Sequence, residues 1–441
     1  MSEATATAPA TGRQTTQIFS YFTVLTLVVY LASPSGYLID FATSYMLKDQ
    51  LHLTADQVSN FRLLTGIPTY LAFIFGLTRD TWNPFGMRDR GFLLIFGPLT
   101  ALVFAWLAVS PLTYMGLFAG VLVAMIASRF LRATYQGLIA LIGQEKLMSG
   151  RLTVLWQIVE SIPAALAAFF GAWVAAHLKP SETFLIVAAI GLGVGLTALW
   201  KPSAVFKGTY DKPVAKGTSL GGDLKRLFKH KAVYPAVLCL FLFQFAPGSN
   251  TPLLYYLTDK LHASREVYGI YNAGFVIGFI PVFFLYGWLC KRVALKHLLF
   301  WGTVITIPQM IPLAMIHSPV AAMWLGLPIG AMGGIAAAAY YDLAMRSCPP
   351  GLQGSLMMLA DSFFQLSYRG GDWIGARIYG LSPTHGFLYC ALATSAVYAL
   401  ILPVLLLIPK ALISTADGQV NPEIEADAAA AEAEARGAAT A

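Results

Sequence analysis

The longest hydrophilic stretch inside the chain, KPSAVFKGTYDKPVAKGTSLGGDLKRLFKHK (residues 201–231), separates two runs of apolar segments. In both runs, windows of about twenty apolar residues recur, the length that an α-helix needs to cross the hydrocarbon core of a bilayer. The chain is 57% hydrophobic and only 12% charged over 441 residues, which is typical of an integral membrane protein. Because these windows are continuously apolar, they predict helices and exclude a membrane β-barrel.

We predict an all-α integral membrane protein with twelve transmembrane helices in two pseudo-symmetric six-helix halves. The predicted spans are 17–46, 58–78, 91–110, 113–142, 151–178, 182–200, 232–257, 266–290, 295–316, 320–345, 353–379 and 386–409. The predicted organisation is a cytoplasmic tail (1–16), an N-terminal half (17–200), a cytoplasmic linker (201–231), a C-terminal half (232–409) and a disordered acidic cytoplasmic tail (410–441).

Lysine and arginine placement predicts the orientation. Most of these residues lie in the breaks after even-numbered spans, whereas the opposite breaks hold only Lys48, Lys179, Lys260 and Arg265. Basic loops stay on the cytoplasmic side, so we expect both termini there and a multi-pass protein of the cytoplasmic (inner) membrane, in contact with lipid. The formal charge of +7 then follows from topology and does not indicate nucleic acid as a partner.

The remaining chemistry-bearing residues argue against an enzyme. The four cysteines are dispersed with no paired spacing, so we expect neither a disulfide framework nor a zinc site. The seven histidines fall in breaks or at span ends, and no phosphate-binding loop accompanies the charges inside the spans. We therefore expect no metal, no cofactor and no nucleotide-driven pump.

Several segments resemble a known family. GLTRD (76–80) leaves the second predicted span and GWLCK (287–291) leaves the eighth, as in the duplicated halves of the major facilitator superfamily (MFS). SYMLKDQLHLTADQV (44–58), GLTRDTWNPFGMRDRGFLL (76–94) and FAPGSNTPLLYYLTDKLHASREVYG (245–269) resemble segments of the folate-biopterin transporter family. The resemblance implies the MFS fold and a secondary transporter of folates, pterins or related metabolites.

The loop RDTWNPFGMRDR (79–90) follows the second span. The superfamily resemblance implies a conformational latch here, with Gly76, Asp80, Arg88 and Arg90 as the cytoplasmic gate. The alternative is that its charges only anchor the loop on the positive side of the membrane.

The eleventh span contains DSFFQLSYRGGDWIGARIYG (361–380), in which Asp361, Gln365, Arg369 and Asp372 share one helical face. Charges at this depth must face the bundle interior and be paired. Two interpretations stay open. Arg369 and Asp372, with Asp361, form an internal ion bridge, or the stripe lines the route of substrate or protons.

The fourth span contains ASRFLRATYQGL (127–138), which places Arg129, Arg132 and Gln136 on one face. A guanidinium suits carboxylate or phosphate, so an anionic substrate is the simplest hypothesis. The alternative is that the arginines pair with Asp40 or Glu160.

Asp40 and Tyr37 follow Pro34 and Gly36, which can interrupt the first helix, so we expect both to face the ligand. Glu160 lies inside the fifth span, where a carboxylate can exchange a proton, and a permanent bridge to an arginine is its alternative role.

The seventh span reads FQFAPGSNTPLLYY (243–256), with prolines and a glycine that loosen the helix. Gln244, Asn250 and Tyr255 suit a flat heteroaromatic ring, whereas Tyr256 suits the membrane interface.

These residues together predict a secondary active transporter, a proton-coupled symporter working by alternating access on a small organic anion such as a folate or pterin. Glu160, Asp361 and Asp372 are the expected coupling or counter-charge groups. The alternatives are transport of an unrelated metabolite, or a non-transporting receptor or assembly factor with the same fold.

Overall fold

A computed structural model describes residues 9–37, 39–40, 43, 46–207, 220–316 and 318–419. Within them all regular structure is helical, and twelve helical rods follow the twelve predicted spans. The first six are α1 (Gly12–Leu31), α2 (Ala55–Tyr70 and Ala72–Thr81), α3 (Asp89–Val109), α4 (Tyr114–Glu145), α5 (Ser149–His177) and α6 (Pro180–Thr197). The second six are α7 (Val233–Gln244 and Thr251–Tyr255), α8 (Arg265–Leu289), α9 (Leu295–Thr306 and Ile311–Ala314), α10 (Pro319–Arg346), α11 (Gln353–Gly380) and α12 (Gly386–Ala399 and Ile401–Leu405).

Short elements lie between and after the rods. They are π-helical turns at Met46–Gln50 and Tyr256–Lys260, a 3-10 turn at Pro84–Gly86, and helices at Ser203–Phe206, Leu220–Lys229 and Lys410–Ile413. The predicted tails and linker fall partly outside the described residues, at 1–8, 208–219 and 420–441.

Local sequence explains where several helices begin and break. Thr11 caps α1, and Thr54 caps α2, each by accepting a hydrogen bond from a backbone N–H three residues on. Gly36, after α1, adopts a φ of 81°, a conformation that glycine reaches without a steric penalty. Residues 245–250 interrupt α7 at the Pro-Gly pair. The first and seventh predicted spans therefore each contain a non-helical stretch near the middle, after α1 and within α7, where backbone groups are free of helical hydrogen bonds.

Eight of the described helices are long and apolar enough to cross a membrane: α2, α3, α4, α6, α8, α9, α10 and α12. The other four rods, α1, α5, α7 and α11, contain breaks or polar residues.

Helix packing within each half is close. α3 packs on α6, and α8 packs on α10, while α2 meets α11 and α5 meets α8 across the halves. Glycines permit the α8–α10 contact, because a Cβ added at Gly278 would overlap the carbonyl oxygen of Leu327, and one at Gly330 would overlap that of Phe275. Small residues commonly allow such close backbone approach between membrane helices.

One boundary differs from the prediction. The sequence predicts a disordered tail from residue 410, but Lys410–Ile413 is helical and residues 415–417 are bonded to the bundle. Backbone groups make these contacts: Leu295 N–H donates to the carbonyl of Thr415, and Asp417 N–H donates to that of Cys290. Backbone contacts leave no hydropathy signal, which is why composition alone placed the boundary too early.

The α8–α10 contact generates a stability prediction. Gly278→Ala should lower the apparent Tm of the purified protein in detergent by about 2 °C or more, since overpacking costs about 1–3 kcal/mol. Gly269→Ala is the matched control on the same helix, where an added Cβ meets nothing within 4 Å. Equal Tm values for the two variants would contradict close α8–α10 packing.

Candidate functional site

A cavity of about 520 Å³ lies where helices of the two halves face each other. Its volume is in the range of small-molecule sites, roughly 300–1,000 Å³. We call it the central cavity, and α1, α4 and α5 line it from the first half, with α7, α8, α10 and α11 from the second. The predicted site residues in its wall are Tyr37, Arg129, Arg132, Gln136, Glu160, Gln244 and Asp361.

Arg129 connects the two halves. Its Nη1 lies 3.3 Å from Oδ2 of Asp361, so an ion pair joins α4 to α11. Both side chains are largely buried, with exposed fractions of 4% and 13%. The sequence offered Asp40 or Glu160 as partners of the arginines, and the structure supplies Asp361 to Arg129 instead.

Arg132 belongs to a second group around Tyr37. The Tyr37 hydroxyl donates to Oε1 of Glu160 at 2.9 Å and lies 3.4 Å from Nη2 of Arg132. The guanidinium of Arg132 also lies 4.5 Å from the ring centroid of Tyr30, a cation–π contact. The hydroxyl of Tyr30 is fixed in turn by the indole N–H of Trp156, at 2.7 Å. Tyr37 therefore bridges the cation and the acid.

Several buried polar atoms of the residues that line this cavity have no hydrogen-bond partner. In the described part of the chain, Nε of Arg129, Nε of Arg132 and Oε1 of Gln136 are buried without hydrogen-bond partners. Leaving a buried polar group unpaired costs about 1–3 kcal/mol. Two arginines face two carboxylates, so the charges balance while donors remain unsatisfied, an arrangement that can accept further oxygen atoms from a ligand.

The polar stripe of α11 divides among three environments. Asp361 and Gln365 face the central cavity. Arg369, together with Gln365, lines a neighbouring chamber of about 180 Å³, the distal chamber. Asp372 accepts from the N–H and hydroxyl of Thr251, at 2.9 and 3.0 Å, and so holds the restart of broken α7.

One of the two interpretations of this stripe, the internal ion bridge between Arg369 and Asp372, is corrected. Among the described residues Arg369 and Asp372 form no ion pair, because the exposed backbone and hydroxyl of Thr251 occupy both oxygens of Asp372. The same contacts tie Asp372 to α7, and Asp372 does not line the central cavity.

Asp40 lies in the distal chamber and not in the wall of the central cavity. It accepts from Gly36 N–H at 3.0 Å and lies 3.8 Å from Nη2 of Arg62. The side chain therefore closes the turn that follows α1, and this turn presents Tyr37 to the central cavity.

The two tyrosines at the end of α7 lie in different surroundings, and neither lines a cavity described here. Tyr255 is 50% exposed and lines none of the cavities described here. Tyr256 is buried, donates to the carbonyl of Ile316 at 2.9 Å and stacks on Phe387 with centroids 4.2 Å apart. The helix restarts at Thr251 and changes to a π-helical turn at Tyr256, so the two side chains do not follow regular α-helical spacing.

One end of the bundle is closed by contacts between α2 and α11. Asp80 accepts from Gly354 N–H at 3.2 Å and from Ser355 N–H and hydroxyl at 2.6 Å each. These N–H groups belong to the first turn of α11, where a carboxylate is favoured. Gly76 allows the approach, because an added Cβ would overlap the carbonyl oxygen of Gly354. We call this the closed end.

The other predicted gate residues act within their own half. Arg90 donates from Nε to the carbonyl of Ala198 at 2.7 Å, and Arg88 N–H donates to Oδ1 of Asn83 at 2.6 Å. Sequence reasoning missed Arg79, which donates from Nε and Nη2 to Asp89 at 2.6 and 2.7 Å and from Nη1 to Asp80 at 2.7 Å. Its position directly before Asp80 was the available signal.

A second set of contacts at the closed end was also missed. Asp342, fully buried in α10, accepts from the Ser149 hydroxyl of α5 at 2.7 Å and from Tyr286 at 2.9 Å. Arg346, four residues after Asp342, pairs with it at 2.9 Å. The acid-to-arginine spacing of four at the end of a helix is a recognisable pattern. Its partner on α5 could not be read from sequence.

The C-terminal segment reinforces this end. Asp417 accepts from Gly150 N–H at 3.1 Å and from Nε of Arg151 at 2.7 Å, so residues that follow α12 are tied to α5. Burial, followed by the nearby charge of Asp342, raises the pKa of the Asp417 carboxyl to about 6. Arg151 and Arg346 act in the opposite direction but do not cancel the effect.

We predict that Asp80→Asn loosens the closed end, because an NH2 group replaces one of the two oxygens that accept from Gly354 and Ser355 and the charge beside Arg79 is lost. Spin labels on exposed Phe85 and Pro350 should show longer and broader distances in this variant by pulsed electron paramagnetic resonance. The native cysteines are all buried, which favours selective labelling. Asp259→Asn, at an exposed acid, is the control. An unchanged distance distribution for Asp80→Asn would rule out a latch role.

We also predict that acid tightens docking of the C-terminal segment. A docked carboxyl whose pKa is about 6, above its ordinary range, takes up a proton on docking, so docking strengthens as pH falls through 6. A spin label on exposed Ser414 should become less mobile between pH 8 and pH 5.5, and Asp417→Asn should remove the dependence. Greater mobility of the label in acid would contradict this prediction. It would mean that the ion pair with Arg151 affects the pKa of Asp417 more than burial does.

Comparison with known proteins identifies the family and the fold. The Major Facilitator Superfamily model matches residues 22–368. "Folate transporter 2" of Plasmodium falciparum (isolate 3D7) is 20% identical over 360 residues, which span 79% of this chain and 78% of that protein.

Solved structures share the fold. A bacterial homologue of the iron transporter ferroportin in an outward-facing state gives a TM-score of 0.64 at 16% identity, over 88% of this chain and 98% of that chain. The E. coli fucose:proton symporter gives 0.62 at 17% identity, over 89% and 98%. At these identities the likeness shows the fold. Since the family model covers well over half of the sequence, the chain belongs to the major facilitator superfamily and is a multi-pass membrane transporter rather than an enzyme.

Proposed function

We propose that the protein is a proton-coupled secondary transporter that moves a small organic anion, such as a folate or pterin, by alternating access. The observation that carries this proposal is the pair of buried arginines, Arg129 and Arg132, in a cavity lined by both halves. A guanidinium binds carboxylate through paired hydrogen bonds. The likeness to a folate transporter of Plasmodium falciparum supports the substrate class.

Arg129, Arg132 and Gln136 form the substrate side of the site in this proposal, with Tyr37 and Gln244 beside them. The contact between Arg129 and Asp361 is a single one of 3.3 Å, so an incoming carboxylate can replace Asp361 without breaking a bidentate pair. The unpartnered Nε groups then gain acceptors. Substrate binding would thus release one tie between α4 and α11.

Charge balance supports the coupling to protons. The cavity holds two arginines against Glu160 and Asp361, so an added anion leaves a surplus negative charge in a region of low dielectric. A proton on Glu160 restores the balance. Tyr37 is bonded to Glu160 and lies beside Arg132, so protonation of the acid changes the surroundings of the arginine directly. Binding of anion and proton together is therefore favoured over either alone.

Orientation follows from charge. The closed end carries basic residues at helix ends, including Arg79, Lys146 and Arg151, and we propose that it faces the cytoplasm of a cell with this protein in its inner membrane. The conformation described is then closed to the cytoplasm. Transport requires the contacts of Asp80, Asp342 and Asp417 to open in turn.

The test is uptake of labelled folate and pterin into proteoliposomes, with and without an imposed pH gradient. We expect saturable uptake that the gradient stimulates. Arg132→Gln should lower it at least tenfold, because loss of a buried charged partner costs about 2–5 kcal/mol. Arg377→Gln is the control, since the guanidinium of Arg377 lies 3.3 Å from the exposed Trp373 ring, outside the cavities.

Glu160→Gln separates binding from coupling. This variant should still exchange labelled for unlabelled substrate but should lose gradient-driven uptake. If the unmodified protein shows saturable uptake that is independent of the gradient, proton coupling is refuted and the substrate class is not. Absence of uptake for every anion tested would refute the substrate class.

A further inference from the structure

A side chamber of about 160 Å³ lies next to the central cavity, within the second half. It is enclosed by the break of α7 and by α8, α9 and α11. Phe243, Gln244 and Phe279 line both spaces, so the two share a wall made of an amide and two aromatic rings. The two spaces are therefore direct neighbours, with these three side chains between them.

The chemistry of the side chamber differs from that of the central cavity. None of its described lining residues is Asp, Glu, Lys or Arg, and aromatic rings and amides predominate. Aromatic faces stack on planar rings, and amides pair with ring nitrogens and carbonyl groups. The volume is below that of a typical site for a whole ligand, roughly 300 Å³ or more, but is suitable for one ring system.

Most polar groups in this chamber already have partners. Asn250 accepts from the Tyr368 hydroxyl at 2.8 Å, Asn272 donates to the carbonyl of Tyr268 at 2.9 Å, and Gln309 donates to that of Ile329 at 2.7 Å. These bonds fix the amides in place.

The Tyr271 hydroxyl is different. It is buried and has no hydrogen-bond partner among the described residues, and Tyr271 as a whole is only 2% exposed. Buried hydroxyls in folded proteins are normally paired. An unpaired hydroxyl in the wall of a chamber indicates a position where a ligand atom completes the bond.

We infer that the side chamber binds a planar, uncharged heteroaromatic ring of the substrate, with Tyr271 as a hydrogen-bonding residue, while the acidic part of the substrate lies at Arg129 and Arg132. This inference rests on the proposed function, because it assigns the two parts of one ligand to two places. The ligand then spans from the arginines of the first half to the aromatic chamber of the second. Molecules with both a ring and an acid are selected over molecules with either alone.

The experiment measures equilibrium binding to the purified full-length protein in detergent. The probes are folate, pterin as the ring alone, and benzoyl-glutamate, which keeps the acid tail but lacks the bicyclic ring. Tyr271→Phe removes only the hydroxyl. It should raise the Kd for folate and pterin roughly three- to tenfold, the effect of one lost hydrogen bond, and leave the Kd for benzoyl-glutamate unchanged.

Tyr21→Phe is the matched control. Tyr21 also has a buried hydroxyl without a partner among the described residues, but it lines none of the three cavities. All three Kd values should stay unchanged in this variant. Equal losses in both tyrosine variants, or equal losses for all three probes in Tyr271→Phe, would overturn the inference.

The remaining outcomes separate this inference from the proposed function. Folate binding that requires Arg132 but is unchanged in Tyr271→Phe would leave the transport proposal standing and refute the ring site. Pterin binding that depends on Tyr271, without any folate binding, would support the ring site and refute the anionic substrate. Failure of the unmodified protein to bind either ring-bearing probe would refute the ring site.

Discussion

Charges buried between membrane helices must be neutralised by other helices, and this requirement determines how the two halves of the protein meet. Arg129 on α4 reaches Asp361 on α11. Asp80 on α2 reaches the first turn of α11, and Ser149 at the start of α5 reaches Asp342 on α10. Each contact joins the first six rods to the second six. In a lipid environment an unpaired charge is expensive, so these contacts select the arrangement of the halves as well as stabilise it.

The fold could be predicted from the sequence because hydropathy depends only on composition along the chain. The expected rods and the superfamily are confirmed, since the helices follow the predicted spans and the family model covers most of the chain. The pairing of polar side chains between helices could not be predicted in this way. A helical projection correctly places Asp361 and Gln365 on one face, but it does not reveal which helix that face meets. The contact between Thr251 and Asp372 depends on the residue at which α7 restarts, and the periodicity of the sequence does not indicate that residue.

The site was predictable where helices are regular and unpredictable where they are not. Arg129, Arg132 and Gln136 lie in the unbroken α4, and the structure brings all three to the central cavity. Tyr255 and Tyr256 follow the break of α7 at the start of a π-helical turn, and the sequence did not show that Tyr256 is buried against Phe387 while Tyr255 is exposed. Asp417 follows the last rod in a segment without hydrophobic pattern, and its contact with Arg151 arises from chain segments 266 residues apart.

The continuity of α11 links the cavity to the closed end. Gln353–Gly380 is one helix, and Ser355 and Asp361 are separated by six residues, about 9 Å along its axis. The two glycines that could act as a hinge, Gly370 and Gly371, lie beyond Asp361 and therefore do not interrupt this interval. A ligand that replaces Asp361 at Arg129 removes a restraint from the same rigid segment that Asp80 holds at its first turn. Occupancy of the cavity and opening of the closed end thus act on one element, and a ligand that binds the open and closed arrangements unequally must shift the balance between them.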